Sequence, residues 1–146
     1  MIRLAAAAAA LLLTAAPALA QSADNKVVLT FETGARTGMV MVALYDSARA
    51  FNGEGADADA NRAVARTAIS ASGQVVATFD NLPAGDYAVK AFHDVNGDGE
   101  MNTNPFGMPT EPYAFSNNAV GNMGPARWDR AHFTVSGETA QTISIR

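Results

Sequence analysis

Apolar and polar residues alternate, position by position, along much of this chain. In the run 26–32, for example, Val27, Leu29 and Phe31 share one face. A period of two is typical of half-buried β-strands, because successive side chains point to opposite faces of a sheet. The pattern recurs, with turn residues between the runs, at 26–32, 38–45, 62–70, 74–79, 87–94, 130–135 and 139–146. The chain is therefore predicted to be all-β, a seven-stranded antiparallel sandwich.

The apolar face of these strands supplies the predicted core, which consists of Val27, Leu29, Phe31, Val40, Val42, Leu44, Val75, Phe79, Tyr87, Val89, Phe133, Val135, Ile143 and Ile145. Ser72-Gly73 is predicted to be a turn between two strands. The alternation stops between Asp94 and Trp128, so this stretch is predicted to be one long loop. Loops longer than about 12–15 residues are uncommon in compact domains and are often functional. The polar stretch 46–61 is predicted to be a second loop, with one helical turn within 56–65.

The first 20 residues have the pattern of a secretory signal peptide. Arg3 precedes an apolar run, and Ala18-Leu19-Ala20 offers small residues at a cleavage site before Gln21. We expect residues 1–20 to be removed on export and residues 21–146 to form a single domain, in the periplasm or outside the cell. The apolar run is rich in alanine and contains Pro17, which favours a cleaved signal over a membrane anchor. No membrane span is expected after its removal.

The composition narrows the chemistry that the chain can support. It contains no cysteine, which excludes disulfide bonds, thiolate metal sites and cysteine nucleophiles. Its formal net charge of −4 argues against nucleic acid as a partner, because nucleic-acid binding depends on basic residues.

The most specific motif begins the long loop, in the run from Asp94 to Asn102. Oxygen-bearing side chains occupy every second position, and Gly99 takes the place where an EF-hand loop turns sharply. Calcium takes roughly six to eight oxygen ligands, so this spacing predicts a structural calcium site. The position of the bidentate EF-hand glutamate holds Pro105, and Glu111 is the candidate that replaces it. The predicted ligands are Asp94, Asn96, Asp98, Glu100, Asn102 and Glu111.

A metal-free turn explains the same residues. Asn-Gly and Asp-Gly pairs are strong turn formers, and Asp and Asn side chains bond turn backbones without a metal. Both interpretations stay open at this point.

The second half of the long loop is dense in aromatic and amide residues. Aromatic faces beside hydrogen-bonding groups suit a protein or glycan ligand, whereas the alternative is a satellite core under the loop. The candidate loop-surface residues are His93, Phe106, Tyr113, Phe115, Ser116, Asn117, Asn118 and Trp128.

Two stretches resemble known proteins. The run Phe79–Val89 resembles the F-x-x-L-P-x-G-x-Y-x-V hairpin of transthyretin-like (prealbumin-like) sandwiches, which implies an Ig-like fold. The runs 93–99 and 105–118 resemble a bacterial exported family known as domain of unknown function 2141. The resemblance implies fold and export, and it implies no activity.

We therefore predict an exported, non-enzymatic β-sandwich module with a structural calcium, which presents the long loop to a protein or glycan. No catalytic residue is assigned. One alternative is a small hydrolase-like or metal-dependent enzyme centred on His93, Asp94 and Glu111, in which a histidine general base is oriented by a carboxylate. The other alternative is a structural envelope protein with no soluble ligand.

Overall fold

The structure is a computed structural model that describes residues 24–54 and 62–146. The predicted signal peptide and residues 56–61 of the predicted helical turn lie outside the described residues. The described chain forms six strands, which are β1 (Asn25–Tyr45), β2 (Ala65–Leu82), β3 (Gly85–Asp94), β4 (Tyr113–Phe115), β5 (Phe133–Val135) and β6 (Glu138–Ser144). Short helices occur at α1 (Ala48–Asn52) and α2 (Trp128–Ala131), and a 3₁₀ turn spans Ser116–Asn118. The all-β prediction is confirmed.

β1 and β2 form one long antiparallel hairpin that extends through the molecule. The pairing runs from Asn25–Leu82 at one end to Leu44–Ala65 at the other. The predicted turn at Ser72-Gly73 is wrong, because β2 continues through it. Gly73 takes a left-handed φ of 76°, opposite a register shift between Glu32 and Thr37, and so absorbs the irregularity within the strand.

β1 is shared by both halves of the sheet. Its first half pairs with β6 over 26–32, and its second half pairs with β3 over 39–45. β3 pairs further with β5 at its start and with β4 near its end. The sheet is thereby nearly closed into a barrel. The prediction of a purely antiparallel arrangement is wrong, because β6 lies parallel to β1.

Every residue of the predicted core is buried, which confirms that list. Ala71, Ala77, Ala91 and Ala114 complete the same cluster. Burying one large aliphatic or aromatic side chain contributes about 1.5–3 kcal/mol, so this cluster is the main source of stability among the described residues. A second cluster lies on the other face of β3, where Phe51 of α1 packs against Tyr45, Phe115 and Trp128.

Three further elements differ from the predictions. The chain forms α1 inside the predicted loop 46–61, where Phe51 is fully buried and holds the short helix to the sheet. The predicted strand 130–135 begins instead as α2, and only its last three residues form β5. The predicted loop 94–128 contains β4, which pairs with β3. Among the described residues, no helix is long and apolar enough to cross a membrane.

Candidate functional site

The long loop begins where β3 ends, at Asp94. This side chain is 1% exposed, and its carboxylate accepts hydrogen bonds from the backbone N–H groups of Gly97 at 2.6 Å and Gly99 at 2.8 Å. Both glycines have φ near 80°, in the left-handed region that glycine adopts without strain. Asp94 therefore folds the 94–99 turn around its own carboxylate.

Glu111 closes the loop from its other end. One carboxylate oxygen accepts the N–H of Val95 at 2.9 Å, and the other accepts the N–H of Asn102 at 3.2 Å. The structure thus brings Glu111 to the Asp94 turn, although the two residues are far apart in sequence. Both carboxylates are buried and hold backbone, so they fix the path of the loop.

The other candidate ligands lie on the exposed side of the same turn. The Asp98 carboxylate accepts bonds from the side-chain amides of Asn96 and Asn102, each at 2.9 Å, and from the N–H of Glu100 at 2.9 Å. The Asn102 amide, then the Glu100 N–H and then the Asn96 amide lower the pKa of Asp98. Asn96 also donates to the Asn102 side-chain oxygen at 2.9 Å, so three polar side chains meet at one point.

Metal-ligating groups are not tightly clustered around this turn. Within residues 24–54 and 62–146, no three histidine, cysteine, aspartate or glutamate side chains lie close enough to hold a metal ion. The candidate set relies on amide oxygens from Asn96 and Asn102, which calcium accepts alongside carboxylates. The calcium site stays a prediction.

The loop then forms a small hairpin, which we call the 102–110 hairpin. Its base is held by the bond from the Thr110 N–H to the Asn102 carbonyl at 2.9 Å. At its tip, the Asn104 side-chain oxygen accepts the N–H groups of Phe106 at 2.9 Å and Met108 at 3.0 Å. The Phe106 ring is 89% exposed. Asn104 was not among the predicted site residues, although an asparagine two residues before a turn residue is typical of a side chain that bonds the turn backbone.

His93 lies under the root of this loop. It is fully buried, its backbone N–H donates to the Pro112 carbonyl at 2.8 Å, and its Nε2 lies 3.2 Å from the Thr37 carbonyl. Its Nδ1 is buried, and no group among the described residues hydrogen-bonds to it. His93 therefore points into the interior, and its assignment to the loop surface is wrong.

Gly38 allows β1 to pass close to Asp94, where the long loop begins. It was not among the predicted site residues. A Cβ built on Gly38 would lie 2.3 Å from the Asp94 carbonyl oxygen, and Gly38 has a φ of 136°. Only glycine fits there, and its place at the start of a predicted strand was the available signal.

The aromatic half of the loop is mostly interior. Phe115 is 7% exposed and Ser116 is fully buried, so their placement on the loop surface is wrong. The Ser116 hydroxyl accepts the Val89 N–H at 2.8 Å and donates to the Ala131 carbonyl at 2.6 Å. Trp128 is half-buried and stacks on His132, at 5.6 Å between ring centroids. This stacking leaves His132 half-buried.

Asn117 and Asn118 are exposed residues whose amides bind backbone. The Asn117 amide donates to the His132 carbonyl at 2.8 Å. The Asn118 amide donates to the Thr142 carbonyl at 3.0 Å and accepts the Ser144 N–H at 2.9 Å, as a neighbouring strand would. Tyr113 is 39% exposed and lines a shallow groove with Val120 and Arg146.

These features define a small all-β domain with one long, internally hydrogen-bonded loop. The chain belongs to the DUF2141 family, described as an uncharacterized protein conserved in bacteria, whose sequence model matches residues 32–144. The family prediction is thereby confirmed. No curated protein and no solved structure matches the chain.

Proposed function

We propose that this chain is an exported, non-enzymatic β-sandwich module that presents the 102–110 hairpin to a protein or glycan partner. The observation that carries the proposal is the Phe106 ring, which is 89% exposed at the tip of a hydrogen-bonded hairpin. Met108 beside it is 61% exposed. Burial of a ring of this size in a partner would contribute about 1.5–3 kcal/mol to the free energy of binding.

The construction of the loop supports this role. The Asp94 and Glu111 carboxylates hold the loop backbone at both ends, and Asn104 holds the tip. A loop that is ordered before binding loses less conformational entropy when it binds. The buried carboxylates therefore favour a loop that is ordered before it binds over a segment that folds only when it meets its partner.

A structural calcium is part of the proposal. Asp98, Asn96 and Asn102 converge within hydrogen-bond distance, and rotating the two amides would direct their oxygens to a cation beside the Asp98 carboxylate. An oxygen of Asp94 or Glu111 that accepts one N–H retains a second lone pair for a cation. Calcium would then stiffen the root of the hairpin.

The proposal includes a transthyretin-like sandwich as the fold and export as the route. The long antiparallel β1–β2 pair, in which β1 also pairs with β3 and with β6, supports the sandwich. The charged start, apolar run and Ala18-Leu19-Ala20 site support export.

The surroundings of the candidate catalytic groups argue against an enzyme. His93 is fully buried and bonded to a backbone carbonyl, so a substrate cannot reach its ring without opening the core. Ser116, which was assigned only to the loop surface, offers no accessible nucleophile either, because its hydroxyl is fully buried and bonded on both sides. A nucleophile and a general base need access to a substrate.

The test is site-specific photo-crosslinking in the native host, with the photoreactive residue at position 106. Position 123 is the control, because Met123 is fully exposed but lies outside the hairpin. We expect a discrete protein adduct from position 106 and none from position 123. A glycan partner would instead appear as retention on host surface glycans that Phe106→Ser abolishes and Met123→Ser preserves. If neither readout depends on Phe106, the proposal is wrong.

A further inference from the structure

The outer edge of β2 is free of other strands in the part of the chain that the structure describes. β2 is 18 residues long and, among the described strands, pairs with β1 alone. At roughly 3.3 Å per residue, its contour is about 60 Å. The N–H and C=O groups that point away from β1 form an open row, which is a template for pairing with another strand.

Apart from the irregularity at Gly73, this edge lacks the usual protection. Proteins block exposed edges with proline, lysine, inward charges or short strands, and β2 contains neither proline nor lysine. Its exposed side chains alternate without interruption across Gly73, so both halves present one continuous face. Between the charged residues Arg66 and Asp80, that face carries only small or uncharged side chains, which are Ala68, Ser70, Ser72, Gln74, Val76 and Thr78.

Arg66 and Asp80 are placed symmetrically on the strand. Each lies seven residues from Gly73. An antiparallel pair of β2 strands centred on Gly73 therefore places Arg66 of each copy opposite Asp80 of the other. The irregular Gly73 then lies on the twofold axis, opposite its own counterpart. The Ser70 and Val76 positions, each three residues from the centre, also face one another.

The charges around both residues favour this pairing. Arg66 lies near the Lys90 ammonium, and no ion pair within the described residues joins Arg66 to a carboxylate. Asp80 lies near Lys26, which already pairs with Glu138 at 3.0 Å. A carboxylate from another molecule would therefore compensate the two neighbouring cations, Arg66 and Lys90, at one end of β2.

We propose that β2 is a self-association edge, at which a second copy of this chain adds antiparallel and centred on Gly73, with two Arg66–Asp80 cross-strand ion pairs. A twofold contact of this kind is self-complementary and closes after two copies, so it gives a dimer and no fibre. The β2 edge shares no residue with the 102–110 hairpin, so association at this edge does not depend on the hairpin's partner.

The test is sedimentation velocity of the purified protein at concentrations up to about 100 µM, a range in which micromolar association is visible. We expect a dimer for the wild type. Arg66→Asp and Asp80→Arg each place like charges opposite one another twice, which should weaken dimerisation by about a hundredfold. The double variant Arg66→Asp/Asp80→Arg reverses both charges and should restore dimerisation to within about tenfold of wild type.

Asp129→Arg is the matched control, because Asp129 is an exposed residue of α2, away from β2. It should leave the dimer unchanged, and circular dichroism verifies the fold of every variant. A wild type that stays monomeric over the whole range would overturn the proposal. So would a dimer that tolerates either single reversal, or single-variant losses that the double variant fails to restore.

Discussion

The carboxylate of Glu111 accepts the backbone N–H of Asn102 at 3.2 Å, and this bond joins the two ends of the 102–110 hairpin. The second oxygen of the same carboxylate accepts the N–H of Val95 at 2.9 Å. One buried side chain thus ties the hairpin to the end of β3. The shape of the exposed tip depends on this interior group.

Glu111→Gln replaces one of the two acceptor oxygens with an N–H donor. One backbone N–H then loses its partner in a buried place, so we expect the free energy of unfolding to fall by about 1–3 kcal/mol. Urea denaturation in chelator, followed by the fluorescence of Trp128, measures this loss. Glu100→Gln on the exposed side of the same turn should change stability by less than about 0.5 kcal/mol. Equal losses in the two variants would contradict the role of Glu111.

Asp98 makes a pH-dependent contribution to the loop. The Asn102 amide is the first cause that lowers its pKa from 3.8. Because the pKa is lower in the folded state, the stabilisation is complete above the ordinary pKa and is lost as pH falls through the folded value. A carboxyl NMR titration should therefore give a midpoint below 3.8. In Asn102→Ala the midpoint should rise towards 3.8, and an unchanged midpoint would refute the assignment.

Calcium should raise the melting temperature if the proposed site exists. A dissociation constant of about 1 mM, typical of weak extracellular modules, gives about 1.4 kcal/mol of stabilisation at about 10 mM calcium. Asp98→Asn should remove the calcium-dependent shift, whereas Asp129→Asn should keep it. If the melting temperature is the same in calcium and in chelator, the run from Asp94 to Asn102 is a turn without a bound metal.

Lys90 is a half-buried cation that lies over the rings of Tyr45, at 5.2 Å, and Phe51, at 4.9 Å. Burial first, and Arg66 second, lower its pKa from 10.5. The charge therefore costs stability at neutral pH, and the cost shrinks as pH rises through the lowered pKa. Lys90→Met should be more stable than the wild type at pH 7. Unlike the wild type, it should not gain stability as the pH rises, as measured by urea denaturation from about pH 7 to 10. Lower stability at pH 7 would mean that the ring contacts outweigh the burial.

Ser116→Ala removes a hydroxyl that bridges the Val89 N–H and the Ala131 carbonyl. Both backbone groups become unpaired in the interior, so we expect a loss of about 1–3 kcal/mol in the free energy of unfolding. Ser136→Ala, at an exposed position, is the comparison for the same denaturation experiment. If the two substitutions cost the same, the bridge contributes nothing.

The sequence predicted the core better than the connections. Alternation assigns Val27, Leu29 and Phe31 to one face, and burial follows from that face whichever strand is the neighbour. The alternation does not say which strands pair with one another, so the parallel pairing of β1 with β6 could not be predicted from the local pattern. β4 and α2 have only three and four residues, which is too short for a period to be visible.

For the long loop, the sequence alone could not decide between two structures. The residues that form a cation loop are also those that form a side-chain-bonded turn, so the pattern from Asp94 to Asn102 favoured both. Only three-dimensional geometry places the Gly97 and Gly99 N–H groups on the Asp94 carboxylate. The burial of Ser116 was equally invisible, because its partners Val89 and Ala131 come from distant elements.

The parallel pairing of β6 with the first half of β1 sets an order of events for the growing chain. Lys26 is made early and Glu138 very late, yet they are neighbours across this pairing. Until residues 138–144 have emerged, the edge of β1 stays open and Ile143 is missing from the core. The described core is therefore complete only after residues 138–144 have emerged, long after β1, the strand with which they pair.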